Sequence, residues 1–113
     1  MQVTIPVTLD VGCGTVRQRI VAHQFDNETR ILAVTLTNGG MRMTIPKTVT
    51  AVLSCRKPDN TYTQTIGTVL EDGGAAFTLS GNTLAVPGTV RAEVQVRDGD
   101  KLLTSAEFEI RVP

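Results

Sequence analysis

The sequence predicts an all-β domain, an immunoglobulin-like antiparallel β-sandwich of about seven to eight strands. Three observations lead there. Short runs alternate apolar and polar residues with the period of a half-buried strand. Turn-forming clusters rich in Gly, Asn, Asp and Pro separate those runs at sandwich-like spacing. Apolar residues nowhere recur with the 3.6-residue period of a helix over a ten-residue stretch.

In the first run Val3, Ile5, Val7 and Leu9 alternate with Gln2, Thr4 and Thr8. Pro6 lies inside it and cannot donate a ladder hydrogen bond, which places this strand at a sheet edge. Gly12-Cys13-Gly14 breaks the chain. Val16 to Phe25 reads as a second strand, closed by a turn at Asp26-Asn27-Glu28.

Leu32, Val34 and Leu36 alternate up to Asn38-Gly39, and Met41, Met43 and Ile45 alternate after it. Asn-Gly is the strongest two-residue hairpin signal, because both positions of a type I′ turn need positive φ. With Asn38-Gly39 as the loop, Leu36 faces Met41, Val34 faces Met43 and Leu32 faces Ile45, all on one side of the sheet. Val49, Ala51, Leu53 and Cys55 form the next strand, closed by Lys57-Pro58-Asp59-Asn60. Tyr62, Gln64 and Ile66 follow, then a turn at Glu71-Asp72-Gly73-Gly74, then Phe77 and Leu79. Ser80 to Gly88 is the least regular stretch, with a single helical turn expected around Thr83 to Val86.

Val90, Ala92, Val94 and Val96 alternate strictly with Arg91, Glu93, Gln95 and Arg97. After Asp98-Gly99-Asp100, Ala106, Phe108, Ile110 and Val112 alternate again. A three-residue loop would set Val96 against Leu102, Ala92 against Ala106 and Val90 against Phe108. The expected core is Leu32, Val34, Leu36, Val90, Val94, Phe108 and Ile110.

With 113 residues the chain is the size of one domain, long enough to bury a proper core. Residues 1–113 are therefore read as one sandwich domain. Its termination just after a strand suggests the N-terminal domain of a longer protein, with Met1 as the true start. Eleven basic and eleven acidic residues cancel, and no basic stripe occurs, which disfavours nucleic-acid binding. No apolar run is long enough to span a membrane, and Met1 to Leu9 do not read as a signal peptide.

Candidate chemistry is sparse, and no catalytic, cofactor-binding or metal-binding residue is assigned. The single histidine, His23, has no nucleophile signature beside it and reads as a partly buried strand residue bonded to backbone. Cys13 and Cys55 match no zinc or redox spacing. Without an export signal they are expected to be unpaired thiols. Gly12-Cys13-Gly14 lacks the third glycine and the helix of a dinucleotide loop. Asp98 and Asp100, with Asp59 or Asp72, do not supply the dense oxygen set that calcium needs. Asn27-Glu28-Thr29 is a glycosylation sequon that carries meaning only in a secreted protein.

The run from His23 to Gly39, HQFDNETRILAVTLTNG, carries a resemblance. A D-N-x-T-R element, an alternating strand, a glycine turn and a strand ending in K-P-D-G are the pattern of a domain that opens many phage and prophage tail proteins of Gram-positive hosts. Asp26, Asn27, Thr29 and Arg30 match the first element. Lys57, Pro58 and Asp59 match the last, with Asn60 replacing its glycine, a mild change because Asn tolerates positive φ. Val86-Pro87-Gly88, VRAEVQV and DGDKLLTSAEFEIRV resemble the closing hairpin. Over about residues 16–113 the chain resembles the N-terminal immunoglobulin-like domain of baseplate upper proteins.

That resemblance implies a structural adaptor, made in the bacterial host cytoplasm and resident in the virion tail baseplate. It implies partners among other tail and baseplate proteins and the C-terminal remainder of its own chain, with homo-oligomers formed only in the full-length context. It brings no catalytic residues, cofactor, nucleic acid or membrane. The alternative is a carbohydrate-binding or adhesion sandwich. Sugar recognition usually exposes aromatic platforms, and Phe77 and Phe108 alternate with core residues instead. An enzyme is disfavoured by the missing constellation of catalytic groups.

Overall fold

The computed structural model describes residues 1–12, 18–105 and 107–113. Its elements are all strands: β1 (Val3–Asp10), β2 (Arg19–Val21), β3 (Arg30–Asn38), β4 (Met41–Arg42), β5 (Thr50–Arg56), β6 (Tyr62–Ile66), β7 (Thr68–Val69), β8 (Ala75–Thr78), β9 (Gly88–Asp98), β10 (Lys101–Thr104) and β11 (Phe108–Val112). They build two facing sheets. The first has the order β1-β3-β8-β7, with β4 also on β3. The second has the order β2-β11-β9-β5-β6, with β10 also on β9. The sandwich expected from alternation is present.

Its strand count and pairing differ from the expectation in ways the topology explains. Eleven strands appear because two long runs are interrupted. β6 leaves the second sheet at Gly67 and continues as β7 in the first. A Cβ on Gly67 would lie 2.5 Å from Phe77 Cε1, so only glycine lets the chain pass over that ring. The sandwich is also not purely antiparallel, since β1 pairs parallel to β3 and β2 parallel to β11. The chain crosses from β1 to β2 in the other sheet before returning beside β1, and such a crossover permits parallel neighbours.

All seven expected core residues are buried, joined by Phe77, Leu53, Leu79 and Leu84. β1 lies at the edge of the first sheet, as Pro6 required. The first hairpin turns one residue later than Asn38-Gly39. Asn38 pairs with Met41 and Thr37 with Arg42, leaving Gly39 and Gly40 as the loop at φ 61° and 85°. Two glycines take both left-handed positions without a Cβ penalty, and Asn38 keeps its place in the ladder. The shift moves each partner by two residues, so the faces survive. Leu36 now receives Met43 N–H at 2.8 Å, while Met41 projects past the end of the core, exposed.

The last hairpin shows a subtler departure. Lys101 pairs with Asp98 and Leu103 with Val96 across a two-residue turn, whereas further on Phe108 pairs with Ala92 and Ile110 with Val90. One extra residue is absorbed between Thr104 and Phe108, a bulge that changes the register within one run. Ser105 sits there, and its hydroxyl accepts the Val94 N–H at 2.9 Å. As a result Leu102 faces Arg97 and is exposed, not set against Val96. Ala106 lies outside the described residues. Around Thr83 there is no helical turn. The chain makes an i to i+3 turn, with Ala85 N–H donating to Asn82 at 3.3 Å, and buries Thr83 and Leu84.

Candidate interaction surfaces

The residues singled out for chemistry are dispersed. His23 is exposed, and its carbonyl accepts the Asp26 N–H at 3.2 Å in a turn that follows a strand of only three residues. The expectation of a partly buried strand residue fails because the chain leaves the sheet at Val21 and turns, with Phe25 at φ 70°. Cys55 is a free, buried thiol, and burial pushes its pKa up to about 12. Cys13 lies outside the described residues. Asp59 closes the β5–β6 turn at one end of the second sheet. Asp98 and Asp100 close the turn at the other end, beyond the pairing of Thr50 with Arg97, so these carboxylates cannot converge. Among the described residues no three His, Cys, Asp or Glu side chains are grouped to hold a metal ion.

The motif residues around Asp26 and Lys57 do converge, on the loop between β8 and β9. Asp26 pairs with Arg30 at 3.0 Å. Asn27 Oδ1 accepts the Gly81 N–H at 2.8 Å, and Glu28 N–H donates to Leu79 at 3.0 Å. From the other sheet Lys57, itself buried, donates to Asn82 Oδ1 at 2.9 Å. Thr83 Oγ1 lies 3.0 Å from Thr63 Oγ1 and 3.1 Å from Ser80 Oγ. The Lys57 turn holds its shape through Asn60 at φ 67° and through Asp59, which accepts the Thr61 hydroxyl at 2.6 Å and the Thr61 N–H at 3.1 Å. Those bonds lower the Asp59 pKa. These motifs are therefore brackets that fasten the two sheets to one loop, and Lys57, Pro58 and Asn60 also line a shallow open concavity on the second sheet.

A second bracket holds the opposite end of the first sheet. The Asp10 carboxylate accepts the Thr37 hydroxyl at 2.8 Å, Gly12 N–H at 2.9 Å and Gly40 N–H at 3.3 Å. The Thr37 bond is the largest influence lowering its pKa.

The edge strands β1 of the first sheet and β6 of the second are finished differently. In β1 the odd-numbered residues bond to β3, as Val3 N–H to Thr29 and Val11 N–H to Thr37 show, so Thr4, Pro6 and Thr8 face outward. Pro6 has no donor there, and the Gln18 side-chain amide bonds both the carbonyl and the N–H of Thr8. That edge is closed to another strand. In β6 the bonds to β5 run through odd-numbered residues, bounded by Lys57 N–H to Thr61 and Gly67 N–H to Ala51. Tyr62, Gln64 and Ile66 therefore direct their backbone groups outward. Among the described residues nothing bonds to those groups. The strand YTQTI holds neither charge nor proline, and its Tyr62 and Ile66 side chains are 68% and 76% exposed.

The outer faces differ too. On the first sheet Thr4, Thr8, Ile31, Ala33, Thr35 and Ala76 face outward, small and uncharged. On the second a cross-strand row runs Tyr62, Arg56, Arg91, Glu109, Arg19 through β6, β5, β9, β11 and β2. Arg56 stands directly opposite Arg91, an arrangement that costs stability in a strand pair. Neither guanidinium has an ion-pair partner among the described residues. Both line two adjoining shallow concavities, one shared with Tyr62, Glu93 and Glu107. Sequence reading missed this site, since alternation exposes Arg91 on β9 but only the strand register brings Arg56 beside it.

Braced sheets, convergent structural motifs and an unpaired β6 edge describe a stiff two-sheet β-sandwich. The BppU N-terminal domain family model matches residues 3–113, and the chain belongs to that family, the N-terminal domains of baseplate upper proteins. It is a structural domain of the phage tail baseplate. Eleven solved chains match its structure. One is the N-terminal domain of phage TP901-1 ORF48, at TM-score 0.66 and 12% sequence identity, covering 96% of this chain and 98% of that one. At that identity the likeness concerns the fold. Comparison with curated protein sequences finds no match.

Proposed function

We propose that the domain anchors a receptor-binding assembly to the phage baseplate through protein–protein contacts. Family membership across residues 3–113 carries this reading. The brackets at Asp10, Asn27 and Lys57 support it, because they stiffen both ends of a sandwich that must hold neighbours in fixed geometry. The anchor is a protein of the virion, made in the host cell and joined to its neighbours in the baseplate. The carbohydrate-binding alternative gains nothing from the exposed aromatics. Phe25 follows β2 and Tyr62 lies on β6, at opposite edges of the second sheet, so they form no shared platform. Deleting residues 1–113 from the phage gene and imaging the virions by electron microscopy tests the anchor. Baseplates without receptor-binding tips are the expected outcome, and normal tips would contradict it.

A further inference from the structure

An exposed edge strand with alternating aromatic and β-branched side chains invites uncontrolled pairing, and natural sheets protect such edges. This sandwich protects its β1 edge and leaves its β6 edge open. β1 is blocked by Pro6 and by the Gln18 amide on Thr8. Among the described residues nothing pairs with the backbone N–H and C=O groups of Tyr62, Gln64 and Ile66 on β6, a strand of high β-propensity. On the next two strands Arg56 and Arg91 are set against each other, and among the described residues neither has an ion-pair partner. An acidic group placed between them would relieve their repulsion.

We propose that β6 is the docking edge of this domain. An extended segment of a neighbouring baseplate protein adds as a strand against Tyr62–Ile66 and sets an acidic side chain past Tyr62 toward Arg56, the nearer arginine of the pair. Backbone bonds to β6 give affinity, and the carboxylate and the Tyr62 and Ile66 side chains select the segment and its register. Glu93, Glu107 and Glu109 flank the arginines and leave no excess positive charge for a run of phosphates, so the fitting anion is one carboxylate on a peptide held by its backbone, not a nucleic-acid backbone. This inference rests on the anchoring role and names the surface that performs it.

Three variants carried in phage test it. Gln64→Pro removes an outward N–H that makes no bond within the domain, so the sandwich is expected to stay folded. The double variant R56E/R91E reverses the charge on exposed side chains and leaves the backbone intact. Thr4→Pro makes the same backbone change on the closed β1 edge. Incorporation into purified baseplates is expected to fall on the order of tenfold or more for Gln64→Pro and for R56E/R91E, and to stay unchanged for Thr4→Pro. Hydrogen exchange should show the outward amides of Tyr62, Gln64 and Ile66 protected in the baseplate and open in the free domain. Normal incorporation of R56E/R91E, with its folding checked by thermal unfolding of the free domain, would overturn the proposal. So would protection of β1 in place of β6, or concentration-dependent dimers paired through β6, which would assign the edge to a second copy. If these variants assemble normally while deletion of residues 1–113 still strips the tips, the docking edge is wrong and the anchor stands. If the deletion itself leaves the tips in place, the anchor is wrong.

Discussion

Replacing Phe108 by Ala tests the registered core at its centre. The side chain is fully buried, and in the β9–β11 pairing it stands opposite Ala92, a small residue that leaves room for the ring. Removing the ring forfeits about 1.5–3 kcal/mol of apolar transfer. The neighbours are strands locked in ladders on both sides and cannot close the space, so a cavity term raises the loss to roughly 3–5 kcal/mol. Such a loss is a large part of the whole stability of a domain this size, which is of order 5–15 kcal/mol. Urea unfolding followed by circular dichroism measures it. At a slope of about 1–3 kcal/mol per molar, the midpoint should fall by about 1–5 M. Ala92→Leu should also destabilise, by about 1–3 kcal/mol, because it drives a larger side chain toward the ring. A loss below about 1 kcal/mol for Phe108→Ala, with an unchanged slope, would remove Phe108 from the core and break the register.

Further outcomes follow from single contacts. Gly40→Val should cost about 1–3 kcal/mol, since a β-branched residue is strained at φ 85°, whereas Asn38→Val should change little; the reverse order would restore the turn to Asn38-Gly39. Gly67→Ala should destabilise by about 1–3 kcal/mol through collision with the Phe77 ring, and a neutral result by thermal unfolding would show that the β6–β7 crossover has slack. Cys55 should resist a thiol reagent at pH 8 in the native domain and react at once in denaturant; equal rates would place it at the surface. Its raised pKa also fixes a sign: the unfolded thiol ionises near 9.0 while the folded one holds its proton to about 12, so stability falls as pH rises through that window.

Much of this fold was legible because alternation reports which side of a strand faces inward. Leu32, Val34 and Leu36, and likewise Val90 and Val94, are buried as their spacing required. Partners were less legible. In the first hairpin a turn shift of one residue moved each partner by two, which preserves faces and so leaves the pattern silent about register. The bulge before Phe108 was invisible because its compensation comes from one serine hydroxyl. Parallel neighbours could not be read, since alternation is the same in either direction. Leu84 and Thr83 are buried within a loop by the Asn27 and Lys57 brackets, contacts made by residues far away in sequence. The candidate docking edge was only half legible. YTQTI was recognisable as strand, but its openness depends on which neighbour it lacks.

The anchoring claim meets its most direct test in binding of the purified domain, residues 1–113, to baseplates assembled without the protein that carries it. Saturable binding that blocks later addition of the full-length protein, and so lowers the number of tips per particle, is the predicted result. A domain that leaves those baseplates bare and lets tips assemble at the normal number would contradict the account.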